Sequence, residues 1–444
     1  MPAVPSRRIV ILGAGFAGLA LATALNRILA GDARSAIHAT LINTSPFGVL
    51  SPLLPGVLSG WVEPWHLAVP LQPSFPSLHV VCARAVAVDP VARTLRLDSP
   101  GTHTGCDPQS LPFDDLIFAI GATSSEPAPS GAGEFALPLR NLNDAVRIRN
   151  RLADALDAAS GEESARRRRA LLTVAVVGGD ARACAAALEV AAALRQSAAA
   201  WPRIEPVDPR VLLVTQDAAP CAYLGDSASA ACAAMLQRAG VEVRTTTAID
   251  KVAPDHVMLL RAGSPAERAD LRTLVWNVDR APSPCLASFR SVLADQARLP
   301  VDDLERVAGS SNVFALGSCA IPGETTPARI IAQAKRLARA LTATAQDRHA
   351  SPASPGIGPV LLHRYGGILS LGSQRFDGAL AACAARSVIL SVVPGLLHRL
   401  AVRASWMAGS LGGQGLGNSM RLLPSLQPMH LTAAPPQVRP ASEG

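Results

Sequence analysis

Near its start the chain carries the feature that most restricts how it can fold: Gly13-Ala14-Gly15-Phe16-Ala17-Gly18, set between an apolar run and an unbroken helical stretch. Arg8-Ile9-Val10-Ile11-Leu12 is short, apolar and bounded by glycine, as a strand buried on both faces must be. After the turn, Leu19, Ala20, Ala22, Ala24 and Leu25 run on without a helix breaker, and a second strand, His38–Ile42, makes the unit β-α-β. In such a turn the first glycine permits the tight bend. The second lets the backbone approach a pyrophosphate, and the third lets the helix pack against the strand. The helix N-terminus adds unpaired N–H groups and a positive partial charge. The turn therefore predicts a dinucleotide site. Its second strand would ordinarily end in an acid on the ribose hydroxyls, and here that position is Asn43, which either bonds the hydroxyls without a charge or shapes an ordinary turn.

The same pattern returns about 165 residues later, where Leu172–Val177 leads into Gly178-Gly179 and an alanine-rich helix reaching Leu194. Two such openings predict an α/β chain with two Rossmann-like dinucleotide-binding domains. Further strands are expected at Leu78–Val88, Thr94–Leu97, Phe113–Ile120, Val211–Val214, Val241–Arg244, Val257–Leu260, Leu274–Trp276 and Asn312–Leu316. Helices are expected from Leu142, over Ser227–Ala239 and over Pro327–Ala343, with a Pro/Ser/Gly-rich linker at Ser124–Gly133. The second turn departs from the first. Asp180 stands where the backbone should meet a phosphate, Ala183 stands at the third glycine position, and Thr215-Gln216 stands where an acid is expected. A carboxylate about 5 Å from a phosphate costs on the order of 3 kcal/mol at an effective dielectric near 20, which Arg182 offsets in part.

Composition narrows the function classes. Hydrophobic residues make up 49%, charged residues 17%, and mean hydropathy is +0.25, yet no run approaches the roughly 20 apolar residues of a spanning helix. The eight cysteines (82, 106, 184, 221, 232, 285, 319 and 383) stand singly, so no metal site is expected and a reducing cytoplasm fits, with no room for a signal peptide before the first strand. Aromatic content of 4% argues against a single-strand nucleic-acid platform. Of the net +7, the stretch from Leu361 to Gly444 supplies +5, from seven arginines against Asp377 and Glu443. A basic apolar tail predicts contact with an anionic membrane surface, and a solvated C-terminal domain is the alternative. The run Arg166–Arg169 is read as a solvated loop, with phosphate attraction as its alternative.

The order of landmarks resembles the type II NADH:quinone oxidoreductases and their flavoprotein relatives. It runs through Arg8–Leu19, Ser51-Pro52-Leu53-Leu54-Pro55-Gly56-Val57-Leu58-Ser59-Gly60, Phe113–Ala122 and Leu142-Asn143-Asp144-Ala145. It continues through Ala239–Val243, Leu274-Val275-Trp276 and Asn312-Val313-Phe314-Ala315-Leu316-Gly317. The resemblance implies FAD on the first fold, NADH or NADPH on the second, and a quinone or similar acceptor reached from the membrane. It assigns Gly13, Ala14, Gly15, Phe16, Ala17, Gly18, Asn43, Gly121 and Gly317 to FAD, with Ser318 in place of the family's ribityl-binding aspartate. It assigns Gly178, Gly179 and Arg182 to NAD(P)H, with Ala185 replacing a glutamate near the nicotinamide, and Gln333 to the flavin and quinone vicinity. Cys319 follows Ser318 as a packing residue, with no clear partner for the cysteine pair of sulfide-oxidising relatives.

On this reading residues 1–125 and 301–345 form the FAD domain and 126–300 an inserted NAD(P)-binding-like domain. Residues 346–423 form a C-terminal membrane-docking domain and 424–444 a disordered tail. Ser387–Val393 and Leu396–Met407 are expected to form a monotopic hairpin, with Leu396, Leu400, Arg403 and Met407 on one stripe, while a core helix or a homodimer interface is the alternative. The expected function is electron transfer from NAD(P)H through FAD to a quinone, at the inner face of the cell membrane. An FAD oxidoreductase with another donor, or a non-catalytic membrane-associated paralogue, remains open.

Overall fold

The computed structural model describes residues 6–31, 36–98, 109–121, 129–198, 201, 203–277, 284–289, 298–321, 326–343, 358, 360–364, 366–371, 374–395, 399–400, 402–404 and 406. Along the chain run β1 (Arg7–Leu12), α1 (Phe16–Gly31), β2 (Ile37–Asn43), β3 (His79–Cys82) and β4 (Asp115–Phe118). There follow β5 (Ala136–Pro138), α2 (Leu142–Gly161), β6 (Thr173–Val177), α3 (Ala181–Ala198), β7 (Arg210–Val214), α4 (Asp226–Arg238), β8 (Val241–Arg244) and β9 (Thr273–Trp276). The described elements close with β10 (Val313–Ala315), α5 (Pro327–Thr342) and α6 (Ala379–Leu390).

Two parallel sheets result, β10-β4-β1-β2-β3 and β5-β9-β6-β7-β8. In each, the strand before a glycine turn lies at the centre, with the order reversing beside it. That reversal opens a crevice at the strand ends where ligands of such sheets bind. Strand β6 is buried throughout, as is β4, which is why both read as continuous apolar runs rather than alternating ones. Asn141 caps α2 by accepting from Asp144 N at 3.0 Å, while Asp144 Oδ2 accepts from Arg140 N at 3.0 Å, so the opening of this interdomain helix is closed in both directions.

Three expectations change. The strand expected over Leu78–Val88 is two: β3 joins the parallel sheet, and Arg84–Asp89 pairs antiparallel with Thr94–Asp98. The break is at Ala83, whose N–H donates to Asn43 O at 2.9 Å as the chain leaves the sheet. The arginine run is helical over Ala165–Leu171 rather than a loop. Arg166, Arg167 and Arg169 are exposed, but Arg168 turns inward onto buried Asp208 at 2.6 Å.

The C-terminal stretch differs most. Three strands (Val360–His363, Gly366–Leu371 and Gln374–Gly378) form an antiparallel sheet against which α6 lies. Ala382, Ala385, Ile389, Leu390, Val392 and Val393 are buried in the same core as β1 and α1, and Thr23 Oγ1 donates to Val392 O at 2.8 Å. The piece expected to dock on a membrane over Ser387–Val393 is thus turned substantially inward. Farther on, Leu400 is half exposed and Arg403 exposed, while Val402 and Trp406 are buried. Leu396, Met407 and the tail beyond 423 lie outside the described residues. Among the described residues no helix is long and apolar enough to cross a membrane.

Candidate dinucleotide sites and the join between them

The first glycine turn is built so that only glycine fits at two of its positions. Gly13 has φ +98°, and a Cβ there would lie 2.6 Å from Ala119 O at the end of β4. A Cβ on Gly18 would lie 1.9 Å from Gly13 O, so α1 packs directly on the turn. Gly15 behaves differently: a Cβ there would meet no protein atom within 4 Å. Packing therefore explains Gly13 and Gly18, whereas Gly15 faces open space at the N-terminus of a helix with no acid in its first turn. This is the cradle a pyrophosphate needs.

The other residues expected around FAD converge on the same ends of β1, β4 and β10. Gly317, with φ +73°, comes so near Ala17 that a Cβ would lie 2.9 Å from the alanine methyl. Gly121 has φ +85° and follows β4, and Ser318 is half-buried beside Gly317. Asn43 has a specific task within the protein. Its Oδ1 accepts from Ala14 N at 3.1 Å, and its Nδ2 donates to Ser45 O at 3.0 Å and Phe47 O at 3.1 Å. The amide holds the turn to the loop after β2, leaving one lone pair of Oδ1 for a ligand.

Helix α5 packs along α1 and carries Gln333, which is buried. Its Nε2 donates to Glu305 Oε2 at 3.2 Å, and Arg336 binds the other oxygen of Glu305 at 2.9 Å. Two buried oxygens on this helix, Thr326 Oγ1 at its N-cap and Gln333 Oε1 two turns later on the same face, have no hydrogen-bond partner among the described residues. Unsatisfied buried oxygens of this kind are costly unless a ligand completes them, and a flavin's polar ring edge is such a ligand. Together with the open cradle at Gly15, the donor set fits FAD. Cys319 is fully buried, with its thiol donating to Phe118 O and Leu316 O, and burial pushes it up to about 11. It packs within the apolar cluster that includes Phe118, Val313 and Ala315.

The second turn has the same topology and opposite electrostatics. Gly178 has φ +134°, and Asn277 occupies the place that Ala119 takes in the first unit, donating through its N–H to Val177 O. Asp180, however, caps α3 itself: its Oδ1 accepts from Ala183 N and from Asn277 Nδ2, both at 2.8 Å. The helix end that should meet a phosphate is satisfied by the chain's own carboxylate. A second carboxylate crowds the turn, since a Cβ on Gly179 would lie 2.0 Å from Asp217 Oδ2. Asp217 follows Thr215-Gln216 and bonds Thr215 Oγ1 at 3.1 Å, so the acid missing at the strand end is supplied just beyond it. Ala183 is accommodated where the first turn demands Gly18, because Gly178 leaves its methyl 3.0 Å from an added Cβ. Arg182 is half-buried beside this turn.

Sequence reading missed Glu189, although it is the one acid in the alanine-rich helix α3. It is buried, accepting from Ser59 Oγ, from Trp61 Nε1 at 2.9 Å and from Arg364 N at 3.1 Å. Burial, opposed by those hydrogen bonds, raises its pKa to about 7. It borders a cavity of about 10 Å³ with Trp61, Gly56, Ala185 and His363, and burial beside Arg364 and Arg386 lowers His363 to about 4. Arg386 lies over the Trp61 ring at 4.9 Å, and Trp61 meets Trp406 edge-on at 5.6 Å. Glu189 thus ties α3 to the segment after β2 and to the C-terminal sheet.

The demethylphylloquinone reductase NdbB of Synechocystis is 24% identical over 419 residues, spanning 91% of this chain and 96% of that protein. The type II NADH:quinone oxidoreductase Ndh of Mycobacterium tuberculosis is 25% identical over 422 residues, spanning 90% and 87%. In structure, NDH2 of Plasmodium falciparum, solved with NADH, superposes with a TM-score of 0.76 at 15% identity over 93% of this chain and 99% of that one. The sulfide:quinone oxidoreductase of Aquifex aeolicus gives 0.70 at 16% identity, over 91% and 93%. The family model of the pyridine nucleotide-disulphide oxidoreductases matches residues 7–346, so it takes in both glycine turns and helix α5, and the chain belongs to that family.

Proposed function

We propose that this protein is an FAD-dependent oxidoreductase of the NADH dehydrogenase type, passing electrons from a reduced nicotinamide nucleotide to a quinone. The observation that carries the reading is Gly15, open to a ligand between two glycines that packing explains. Residues 1–125 and 301–345 form the flavin unit, with the pyrophosphate on the N–H groups of Gly13–Gly18. Gly121, Gly317 and Ser318 stand around the rest of the cofactor, and Asn43 holds the turn. Bound there, FAD supplies hydride acceptance and stepwise electron release. Thr326 and Gln333 offer their unsatisfied oxygens to the flavin and quinone side. Residues 126–300 form the nicotinamide unit, at Gly178, Gly179 and Arg182. A quinone acceptor is supported by the names of the relatives, which are quinone reductases.

Residues 346–423 form the docking unit, which takes in most of the arginines of the basic stretch that begins at Leu361. The exposed Leu380 and Leu400 with Arg403 reach the inner face of the cell membrane, and pairing of two copies through this surface is its other use. A second reading, in which the electron donor is not a nicotinamide, is favoured by one observation: Asp180 and Asp217 both stand at the second turn. Anaerobic stopped-flow mixing separates the two. Flavin absorbance of the purified holoprotein should bleach on NADH or NADPH and return on a soluble quinone. Flavin that stays oxidised with both nucleotides, yet bleaches with another donor, establishes the second reading. Protein that will not take up FAD at all removes both.

A further inference from the structure

Three cysteines far apart in sequence share one buried point in the second unit. Cys184 lies in the first turn of α3, Cys221 in the loop after β7, and Cys232 in the second turn of α4. All three side chains are fully buried. The Sγ of Cys221 is 3.7 Å from that of Cys184 and 3.5 Å from that of Cys232, and all three sulfurs lie within 4.8 Å of one another. Cys221 reaches this point with a left-handed backbone, φ +55°, held by its N–H donating to Gly179 O at 2.7 Å. A β-carbon residue in that conformation is strained, and strain of this sort collects at functional sites.

The donor set selects the ligand. Three sulfurs with no fourth His, Cys, Asp or Glu ligand among the described residues do not close the four-coordinate shell of a structural zinc. A trigonal centre with metal–sulfur bonds of about 2.3 Å requires sulfurs about 4.0 Å apart. The two spacings made by Cys221, 3.7 and 3.5 Å, are within about half an ångström of it, and the third lies within 4.8 Å. An all-sulfur, water-excluding, three-coordinate pocket suits a soft monovalent ion.

We propose that Cys184, Cys221 and Cys232 form a trigonal copper(I)-binding site. Binding forms three S–Cu bonds and releases up to three thiol protons to the solvent. No electron moves, because the metal arrives and remains as copper(I). Since Cys221 N is bonded to Gly179 O, the occupied site braces the second glycine turn against α4.

The test uses flavin-loaded full-length protein in a C82S/C106S/C383S background, handled anaerobically and offered copper(I) from a colorimetric copper(I) chelator. One copper should be withdrawn from the chelator per chain, with X-ray absorption showing three sulfur neighbours. Adding C184A, C221A or C232A singly should weaken retention at least a hundredfold while leaving flavin content and circular dichroism unchanged. C184S and C232S serve where an alanine variant fails to fold. The proposal is overturned if the background protein takes no more copper than its C232A derivative, if copper is held by fewer than three sulfurs, or if zinc(II) is retained in preference to copper(I).

Discussion

Trp61 Nε1 donates to Glu189 Oε1 at 2.9 Å, so a carboxylate from the helix after the second glycine turn is fastened to the segment that follows β2 of the first sheet. The same carboxylate accepts from Arg364 N at 3.1 Å, which brings the C-terminal sheet to the same point. The one acid of this helix therefore joins three parts of the chain.

That acid carries a pH dependence. Its pKa rises from 4.5 to about 7 on folding, chiefly through burial, so the folded protein keeps a proton that the unfolded chain has lost between those values. The stabilising contribution is complete below about pH 4.5 and is lost as pH rises through about 7, amounting to about 3 kcal/mol. Glu189→Gln mimics the protonated form, its Oε1 accepting from Trp61 and Arg364. The difference in unfolding free energy between E189Q and the parent should grow in favour of E189Q from pH 5 to pH 8. Urea titrations giving a difference independent of pH would contradict the assignment.

The two kinds of glycine in the first turn should separate on substitution. Gly15→Ala meets no protein atom, so the flavin-free protein should keep its stability to within about 0.5 kcal/mol. Its affinity for FAD should drop at least about tenfold, or about 1.4 kcal/mol. Gly18→Ala forces a methyl against Gly13 O and should damage folding and flavin binding together. Thermal melts with and without added FAD distinguish them. Equal loss of stability in both variants would mean that Gly15 is a packing residue.

Charge at the second turn should limit nucleotide affinity. Asp180→Asn keeps the oxygen that caps Ala183 N while removing the negative charge. The KM for NADH in flavin reduction should fall about tenfold with little change in melting temperature, as part of a Coulomb penalty of about 3 kcal/mol at 5 Å. Asp217→Asn should add to it, since this carboxylate borders Gly179. Added salt should improve NADH affinity in the parent more than in the double variant. A KM unmoved by both substitutions would place the nucleotide elsewhere.

The Arg168–Asp208 pair should prove structural. Both groups are buried at 2.6 Å, and Asp208 also accepts from Glu205 N at 2.9 Å. Arg168→Ala strands a buried carboxylate and should lower the urea midpoint of unfolding. The double change R168M/D208L should recover most of that. An R168A chain as stable as the parent would return Arg168 to the solvated face that its neighbours occupy.

Local pattern sufficed wherever a single element decided the outcome. The apolar run from Ile9 to Leu12, the turn glycines and the breaker-free helix after them made the first β-α-β unit legible, because periodicity and backbone freedom are properties of neighbouring residues. Its repetition at Thr173–Val177 made the double architecture legible too. Legibility ended where a side chain met a partner far along the chain. Nothing in the order Arg166 to Arg169 shows which arginine turns inward, since that depends on Asp208 about 40 residues away. Likewise Ser387–Val393 read as a membrane-docking piece, with a core helix as the alternative, until Ile389, Leu390, Val392 and Val393 were seen buried in the same core as β1 and α1.

By itself, then, the sequence determined the two parallel-sheet units, the glycine turn able to receive a pyrophosphate, and the departure of the second turn from that pattern. Tertiary structure alone decided that Asp180 caps its own helix, that Glu189 fastens the units, and that Cys184, Cys221 and Cys232 converge. The physical reason is range: hydrogen-bonded periodicity acts over a few residues. Burial of a charge and the meeting of three sulfurs are settled only when segments separated by 11 and 37 residues, or by 128 in the case of Trp61 and Glu189, are packed against one another.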